Sequence, residues 1–238
     1  MTSESINKAQ VGDCILFGKY EQDNNFHNGS EDIEWLVLAK EDNKILVISK
    51  YGLEYEPFNY TTTLRLSRKS SKTGTTWEEC SLRKWLNGGF INEAFSTAEQ
   101  NQILSTTVTA DMNDGGIFPG NVTVDKIFLL SVNEANEYFG DDIARRCRCT
   151  PYCCSQGVYI DAYDEWDECD DCPDCSRCND CDCDRADKAG SWRWWLRARG
   201  NFSELTAAVA SNGIVGSFGL YAGDYGVVRP AMWISLDL

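Results

Sequence analysis

The sequence predicts an α+β domain, with short apolar strands toward both ends of the chain and helices between them. Three observations predict it. Residues 11–50 alternate β-branched apolar runs with turn residues, two helix-capping patterns follow, and the last fifth of the chain returns to strand-forming residues. With 238 residues, 42% of them hydrophobic, the chain can bury a large core. We therefore expect a single domain over residues 1–238.

The strand predictions rest on apolar runs bounded by turn residues. The clearest is a β-hairpin, in which two such runs flank the short turn Glu41–Asp42–Asn43. The run IFLLS is predicted to be a buried strand. The predicted strands cover residues 11–20, 33–40, 44–50, 127–131, 192–199, 207–215 and 225–236.

Helices are predicted in the middle of the chain. Thr76 and Glu79 have capping-box spacing, and apolar residues at helical spacing follow at Leu82, Trp85 and Leu86. The sequence Asn-Gly-Gly at 87–89 is predicted to end that helix.

A second cap pairs Ser96 with Glu99 and opens a short helix that ends near residues 103–104. Residues 132–139 are predicted to form a third helix.

Charge is concentrated in one segment. The net charge is −15, and residues 161–184 hold eleven Asp or Glu against the single Arg177. An acidic surface repels phosphate backbones, which argues against nucleic-acid binding. The sequence has neither a signal-peptide pattern nor an apolar run long enough to span a bilayer. We expect no membrane insertion and a cytoplasmic location by default, whereas display on a cell surface or virion would need another route.

Several segments in order resemble one bacterial domain family of uncharacterised function. They are GDCILFGKYEQD, IEWLVL, KILVISKYGLEYEPFN, TWEECSLRKWLNGGFINEAFSTAEQNQI, DKIFLLSVNEANEYF, WWLRARG and GVVRPAMWI. That family is similar to formylglycine-generating enzymes and to the variable proteins of diversity-generating retroelements. The resemblance implies a C-type-lectin fold, in which the WWLR and RPAMWI strands belong to the central sheet and the chain between them presents the ligand surface.

The resemblance places a ligand-binding region, diversified in retroelement variable proteins, at residues 192–235. Within it, residues 201–225 contain no Lys, Arg, Gln, Met or Trp, and aromatic residues stand on a Gly/Ser/Ala background, as in antibody paratopes. Inward-facing apolar residues of a hairpin are the alternative, above all for Ile214 and Val215. Arg197 and Arg229 flank the region. They are expected to hold the hairpin as structural residues that bind carbonyls or carboxylates, and the alternative is a charge that faces the ligand. The predicted protein- or glycan-binding residues are Phe202, Ser203, Glu204, Leu205, Thr206, Ile214, Phe218, Leu220, Tyr221, Asp224 and Tyr225.

Residues 147–184 are predicted to be a Cys/Asp-rich insertion. C-x-x-C pairs each supply two thiolates to a metal, and the spacing favours structural zinc over an iron–sulfur cluster. A disulfide-linked or unstructured acidic loop remains the alternative, and the Asp residues do not have EF-hand spacing. Cys14 and Cys80 are expected to be buried. The predicted ligands are Cys147, Cys149, Cys153, Cys154, Cys169, Cys172, Cys175, Cys178, Cys181 and Cys183.

Catalytic patterns are sparse. The single histidine, His27, lies in a polar loop, and the sequence has no phosphate-binding glycine motif. Residues 184–238 lack the cysteines that formylglycine-generating enzymes use. We therefore expect a non-enzymatic binding protein of undetermined oligomeric state. The alternatives are a metal-dependent or redox enzyme at the cysteine cluster and an enzyme of the formylglycine-generating type.

Overall fold

The computed structural model describes residues 3–60, 75–112, 116–157 and 192–237. This part of the chain is α+β, with more sheet than helix and only short helices. The strands are β1 Cys14–Tyr20, β2 Glu31–Glu41, β3 Lys44–Ser49, β4 Glu54–Pro57, β5 Thr106–Val108, β6 Thr123–Asp125, β7 Trp194–Arg199, β8 Leu205–Val209, β9 Val215–Tyr221, β10 Tyr225–Val228 and β11 Ala231–Ser235. The helices are α1 Ser3–Lys8, α2 Ser81–Trp85, α3 Ile91–Ala94, α4 Thr97–Gln102, α5 Val132–Tyr138, α6 Asp142–Arg145 and α7 Pro151–Ser155.

The first sheet has the strand order β1-β2-β3-β11, with every pairing antiparallel. The predicted hairpin is confirmed, since β2 and β3 pair up to Glu41 opposite Lys44. A second sheet has the order β4-β10-β7-β8-β9, and a small third one joins β5 to β6.

The two C-terminal strand predictions need a correction. Trp194–Arg199 and Ala231–Ser235 are strands as predicted, but they lie in different sheets, because the chain passes from β10 to β11 at Arg229–Pro230. Proline has no N–H to continue a ladder, and the Pro230 carbonyl accepts from Ser49 N in the first sheet at 2.9 Å. Residues 207–215, predicted as one strand, are the end of β8, a turn and the start of β9.

Helix α2, the first of the predicted helices, differs from its prediction at both ends. Its N-cap is Cys80, whose Sγ accepts from Arg83 N, and not Thr76. Asn-Gly-Gly does not end it either. The chain continues through a π-helical turn, Leu86–Phe90, into α3, so that Phe90 and Ile91 are both buried. The burial of these two side chains outweighs the weak helix propensity of the glycines.

The other helix predictions are confirmed. Ser96 and Glu99 form a reciprocal capping box at the start of α4, and Ser131 and Glu134 form another at the start of α5. The segment 127–131 is buried throughout, but it is not a strand, since only Phe128 bridges to Ala231.

Tryptophan side chains fix the core through hydrogen bonds as well as packing. Trp35 Nε1 donates to Phe17 O at 2.7 Å, and Trp195 Nε1 donates to Glu56 O at 2.8 Å. Trp194 Nε1 donates to Arg145 O at 3.0 Å. A buried indole with its N–H satisfied combines a large apolar contact with a fixed orientation. The first two bonds join strands within each of the two large sheets, and the third ties β7 to α6.

The start of the cysteine-rich segment belongs to the core. Cys147 and Cys153 are fully buried, and Tyr152 and Cys149 pack against the same cluster. The rest of the predicted insertion, from residue 158, lies outside the described residues. Over the described ranges, none of the helices has the length and apolar character required to cross a bilayer.

Candidate functional site

The β8–β9 hairpin is fastened to the rest of the fold at its turn. Gly213 has a φ of +88°, and a Cβ placed there would lie 1.6 Å from the Asp142 carbonyl oxygen on α6. Arg145 Nε donates to Gly213 O at 2.9 Å. Only glycine fits this backbone conformation and this contact. The turn therefore holds β9, the edge strand of the second sheet, in place.

A second close backbone approach brings two aromatic rings together. Gly200 packs so tightly on β9 that a Cβ there would lie 2.6 Å from Phe218 O. Asn201 N donates to the same carbonyl at 3.0 Å. As a result, Phe202 meets Phe218 edge-on, with ring centroids 5.9 Å apart, although both rings are more than half exposed.

The exposed rings continue onto β4 and β10. Ala222 N donates to Glu204 O, and Asn59 N donates to Ala222 O, which joins the chain after β9 to the end of β4. Tyr221 and Tyr225 are 58% and 54% exposed. We define the aromatic surface by six exposed or partly exposed residues on the strands and loops of the second sheet, which include the ring pairs Tyr55–Tyr225 and Phe202–Phe218. They are Tyr55, Tyr60, Phe202, Phe218, Tyr221 and Tyr225.

The predicted ligand residues divide by burial. Phe202, Ile214, Phe218, Tyr221, Asp224 and Tyr225 are exposed, and Ser203, Glu204 and Leu220 are partly exposed. Leu205 and Thr206 are buried in β8, with exposures of 6% and 0%. All five residues of β8 are buried, so both faces of this strand are covered, and the prediction of Leu205 and Thr206 as surface residues is corrected.

Sequence reasoning missed Tyr55 and Tyr60. Both lie in the segment KYGLEYEPFNY, where tyrosines alternate with glutamates ahead of a proline. That alternation is typical of a short edge strand with one exposed face, and β4 is such a strand. The exposed tyrosines could have been predicted from this alternation. The proximity of β4 to residues 221–225, however, depends on the pairing of β4 with β10.

The aromatic surface carries carboxylates. Tyr60 donates its hydroxyl hydrogen bond to Glu56 Oε2, and burial together with this carboxylate raises the pKa of Tyr60. Asp224 is exposed, and Glu204 accepts from Ser203 Oγ at 2.8 Å. The rings therefore stand beside hydrogen-bond acceptors of negative charge.

The arginines of this region face inward. Arg197 donates to both carboxylate oxygens of Glu134 on α5 and to Leu129 O at 2.6 Å. Arg199 donates to Phe118 O and Ser203 O, and burial lowers its pKa. The expectation that Arg197 has a structural role is confirmed, since its side chain is 3% exposed and its donors are bonded within the fold.

A family model described as a domain of unknown function (DUF6273) matches residues 42–236. The chain belongs to this family. The match includes β3, the whole second sheet and both capping boxes, so the frame of the aromatic surface is part of the DUF6273 domain. No curated protein and no solved structure matches the chain.

The DUF6273 domain brings four of the predicted cysteine ligands to one place. Cys147 and Cys149 precede α7, and Cys153 and Cys154 lie on it. Cys147 and Cys153 are buried, Cys149 is partly exposed and Cys154 is exposed. The other six, from Cys169 to Cys183, lie outside the described residues. Of the two expected to be buried, Cys80 is buried and Cys14 is exposed, which corrects the prediction for Cys14.

The thiols influence one another. Burial raises the pKa of Cys149, and its interactions with the thiols of Cys153 and Cys154 raise it further. The same interaction with Cys149 lowers the pKa of Cys154 to about 7. Burial also raises the pKa of Cys147, whereas the charge of Arg229 opposes that increase.

A buried carboxyl group lies beside α7. Glu54 is 4% exposed, accepts from Tyr20 Oη and accepts from Gln156 Nε2 at 2.5 Å. Burial raises the pKa of Glu54, and these hydrogen bonds only partly offset that increase. Burial and the same carboxylate raise the pKa of Tyr20. The network joins β1, β4 and α7 without a cationic side chain among its hydrogen-bond partners.

Three acidic side chains also meet before β2. Carboxylate oxygens of Glu21, Asp23 and Glu31 lie within 4.8 Å of one another, the one such group of three among the described residues. Glu31 Oε2 accepts from Gln22 N and Asp23 N, and Glu21 Oε1 accepts from Asn25 N. These backbone donors satisfy the carboxylates within the loop.

Proposed function

We propose that this DUF6273 protein is a non-enzymatic binding protein of the C-type-lectin type that holds a protein or glycan ligand on the aromatic surface. One observation carries the proposal. Phe202, Phe218, Tyr221 and Tyr225 each expose more than half of their side chains on the second sheet or on the loops that join its strands, with Phe202 against Phe218 and Tyr221 one turn before Tyr225. Exposed aromatic residues gathered in this way mark binding surfaces on soluble proteins.

The surroundings of these rings suit recognition. Gly219 and Leu220 separate Phe218 from Tyr221 on β9, and the close packing of Gly219 on Gly200 fixes the backbone between the two rings. Aromatic side chains provide contact area at a small cost in conformational entropy, because each has only two rotatable torsions. Glu56 and Asp224 add acceptors for the hydroxyl or amine groups of a ligand.

The frame beneath the rings is rigid. Gly213 fastens the hairpin turn to α6, and the Arg197–Glu134 ion pair fastens β7 to α5. A surface held in its bound conformation loses less entropy when the ligand binds. The frame therefore favours binding by a preformed surface.

The C-type-lectin type is supported by the order of the sequence segments and is compatible with the mixture of short helices and largely antiparallel strands, whereas the separation of β7 and β11 into two sheets does not support it. The absence of Lys, Arg, Gln, Met and Trp from residues 201–225 supports a diversified segment like that of retroelement variable proteins. Glu204 cannot arise from an Asn codon by adenine-directed mutation, so this position is expected to stay constant. A reverse transcriptase gene and a near-identical template repeat beside the coding sequence would support this origin, and their absence would contradict it.

The binding proposal is tested with the full-length chain, labelled and applied to an array of defined glycans and to a phage-displayed peptide library. We expect hits in at least one of the two formats. In the variant Phe218→Ala/Tyr221→Ala/Tyr225→Ala, we expect these hits to lose at least 90% of their signal. Such a loss corresponds to a tenfold change in affinity, or about 1.4 kcal/mol.

The matched control is Phe26→Ala, which removes an exposed ring in the loop before β2. It should retain the wild-type signal. The proposal fails if the wild type binds nothing in either format, or if the triple variant binds as well as the control does.

A further inference from the structure

Three acidic residues lie beside the turn that joins β9 to β10. Asp224 belongs to this turn. Glu204 O accepts a hydrogen bond from Ala222 N, also in the turn, at 3.0 Å. Glu56 of β4 stands opposite Gly226, the second residue of β10. Hydrogen bonds and strand pairing therefore place all three acidic residues along one short segment of the chain.

Tyrosine rings flank the same segment. Tyr221 and Tyr225 stand at the two ends of the turn, and each is more than half exposed. Tyr55 packs against Tyr225, and Tyr60 donates its hydroxyl hydrogen bond to Glu56. The tyrosines of the aromatic surface therefore share this segment with the acidic residues. We call this set the tyrosine–carboxylate site, and its members are Tyr55, Tyr60, Tyr221, Tyr225, Glu56, Glu204 and Asp224.

The acidic residues of the site lack a cationic partner. Among the described residues, no Lys or Arg forms an ion pair with Glu56, Glu204 or Asp224. Residues 201–225 contain neither Lys nor Arg. Arg199 of β7 is buried and donates to two carbonyl oxygens, so its charge acts on Glu204 from within the fold. On the solvent side, the carboxylates remain available to a cation from a ligand.

Both kinds of group in the site attract cations. The face of an aromatic ring carries the negative part of its quadrupole and attracts ammonium and guanidinium groups. Carboxylates that lie near one another repel, and a bound cation reduces that repulsion. An uncharged glycan also stacks on rings and donates hydroxyl hydrogen bonds to carboxylates, but it brings no charge to reduce the repulsion. The combination of rings and carboxylates therefore favours a basic ligand.

We propose that the aromatic surface binds a basic segment of a partner protein, whose Arg or Lys side chains lie against the tyrosine–carboxylate site. This proposal rests on the binding function proposed above and specifies the class of ligand. A guanidinium of the partner stacks on the rings of Tyr221 and Tyr225 and pairs with Asp224 of the turn between them. Glu56 and Glu204 pair with further cations of the same segment.

The proposal is tested on the full-length chain with a phage-displayed library of random peptides. The library is first depleted on the variant Phe218→Ala/Tyr221→Ala/Tyr225→Ala. This variant keeps the net charge of the chain, so depletion removes peptides that are attracted only by the acidic segment 161–184. Peptides then selected on the wild type should contain Arg and Lys at a higher frequency than the input library does.

The contribution of the carboxylates is measured with the strongest selected peptide. Its Kd should rise about fivefold for Glu56→Gln/Asp224→Asn, the effect of losing two exposed ion pairs. The matched control, Asp42→Asn/Glu137→Gln, removes two charges at exposed positions in the β2–β3 turn and on α5 and should leave the Kd unchanged. High salt should reduce the difference, because it screens exposed ion pairs. If the double variant melts below the wild type, Asp224→Asn alone, at an exposed position, replaces it.

The outcomes separate this proposal from the binding function on which it rests. Selected peptides without an excess of Arg and Lys, or equal Kd values for the two double variants, would overturn the proposal and leave the binding function intact. The same conclusion follows if glycans bind through the rings while the depleted library yields no peptide. If neither format yields a ligand that depends on the rings, the binding function itself fails.

Discussion

The ring of Tyr55 stacks against the ring of Tyr225 with centroids 5.4 Å apart and an angle of 37° between the planes. The two residues lie on antiparallel neighbours, where Tyr225 stands opposite Pro57 and Tyr55 opposite Val227. The contact is thus a diagonal cross-strand pair. It extends the aromatic surface from the C-terminal segment onto a strand that precedes most of the domain.

Removal of the exposed tyrosines is expected to leave the fold intact. Tyr221→Ala/Tyr225→Ala deletes two rings that are more than half exposed, and the lost Tyr55 stack contributes about 1 kcal/mol. We expect thermal denaturation to show a free energy of unfolding lowered by no more than about 1 kcal/mol. A loss of several kcal/mol would identify these rings as core residues and remove them from the binding surface.

The hairpin turn is expected to be intolerant of any side chain. Gly213→Ala would place a Cβ 1.6 Å from Asp142 O at a positive φ, so that the turn must leave α6. We expect a loss of about 2 kcal/mol or more in urea denaturation. Gly88→Ala is the control, because its Cβ would meet nothing within 4 Å. Equal stability of the two variants would contradict the role given to Gly213.

The ion pair between β7 and α5 is expected to contribute strongly to stability. Glu134→Gln leaves the buried Arg197 guanidinium without its carboxylate. Because Glu134 is 27% exposed, we expect a loss of about 2 kcal/mol, less than that of a fully buried pair. Glu137→Gln, at an exposed position on the same helix, should have no measurable effect. Chemical denaturation of both variants measures the difference. If they unfold at the same denaturant concentration, Arg197 is stabilised by its carbonyl contacts alone.

Stability should depend on pH through Glu54. Its pKa is raised above the ordinary value of 4.5 by burial, so the folded state binds the proton more tightly than the unfolded state does. The resulting stability is fully present below about pH 4.5 and is lost as the pH rises through the raised pKa. Compared with Glu54→Gln, the wild type should therefore gain stability as the pH falls from 7 toward 4.5.

The melting temperatures of the wild type and of Glu54→Gln are measured between pH 7 and pH 4.5. The difference between the two proteins at each pH isolates Glu54, because the other carboxyl groups contribute equally to both. A constant difference between wild type and Glu54→Gln would show that Glu54 has the same pKa in the folded and unfolded states. A difference that changes in the opposite direction would show that Tyr20 and Gln156 stabilise the carboxylate more than burial destabilises it.

Local patterns in the sequence were sufficient where the deciding contacts are local. The capping box of Ser96 and Glu99 and the β2–β3 hairpin are formed by residues close in the chain, and both were predicted. Thr76 failed as a helix cap because Cys80, nearer the apolar face, supplies the acceptor instead. A thiol acceptor at an N-cap is not among the usual signals.

The exposure of the aromatic residues was predicted in part for the same reason. Phe218, Tyr221 and Tyr225 stand in a stretch whose composition suits exposure. Leu205 and Thr206 belong to the same stretch but become buried, because β8 has β7 on one side and β9 on the other. Composition alone does not tell a central strand from an edge strand.

From the sequence alone, the α+β class, the confirmed caps and hairpin, and the aromatic content of residues 201–225 could be determined, since each depends on residues a few positions apart. Only the tertiary structure decided that β7 and β11 lie in separate sheets, that Tyr55 contacts Tyr225, and that Arg197 pairs with Glu134. These relationships join residues that are distant in the chain, and sequence periodicity carries no information about which strands become neighbours.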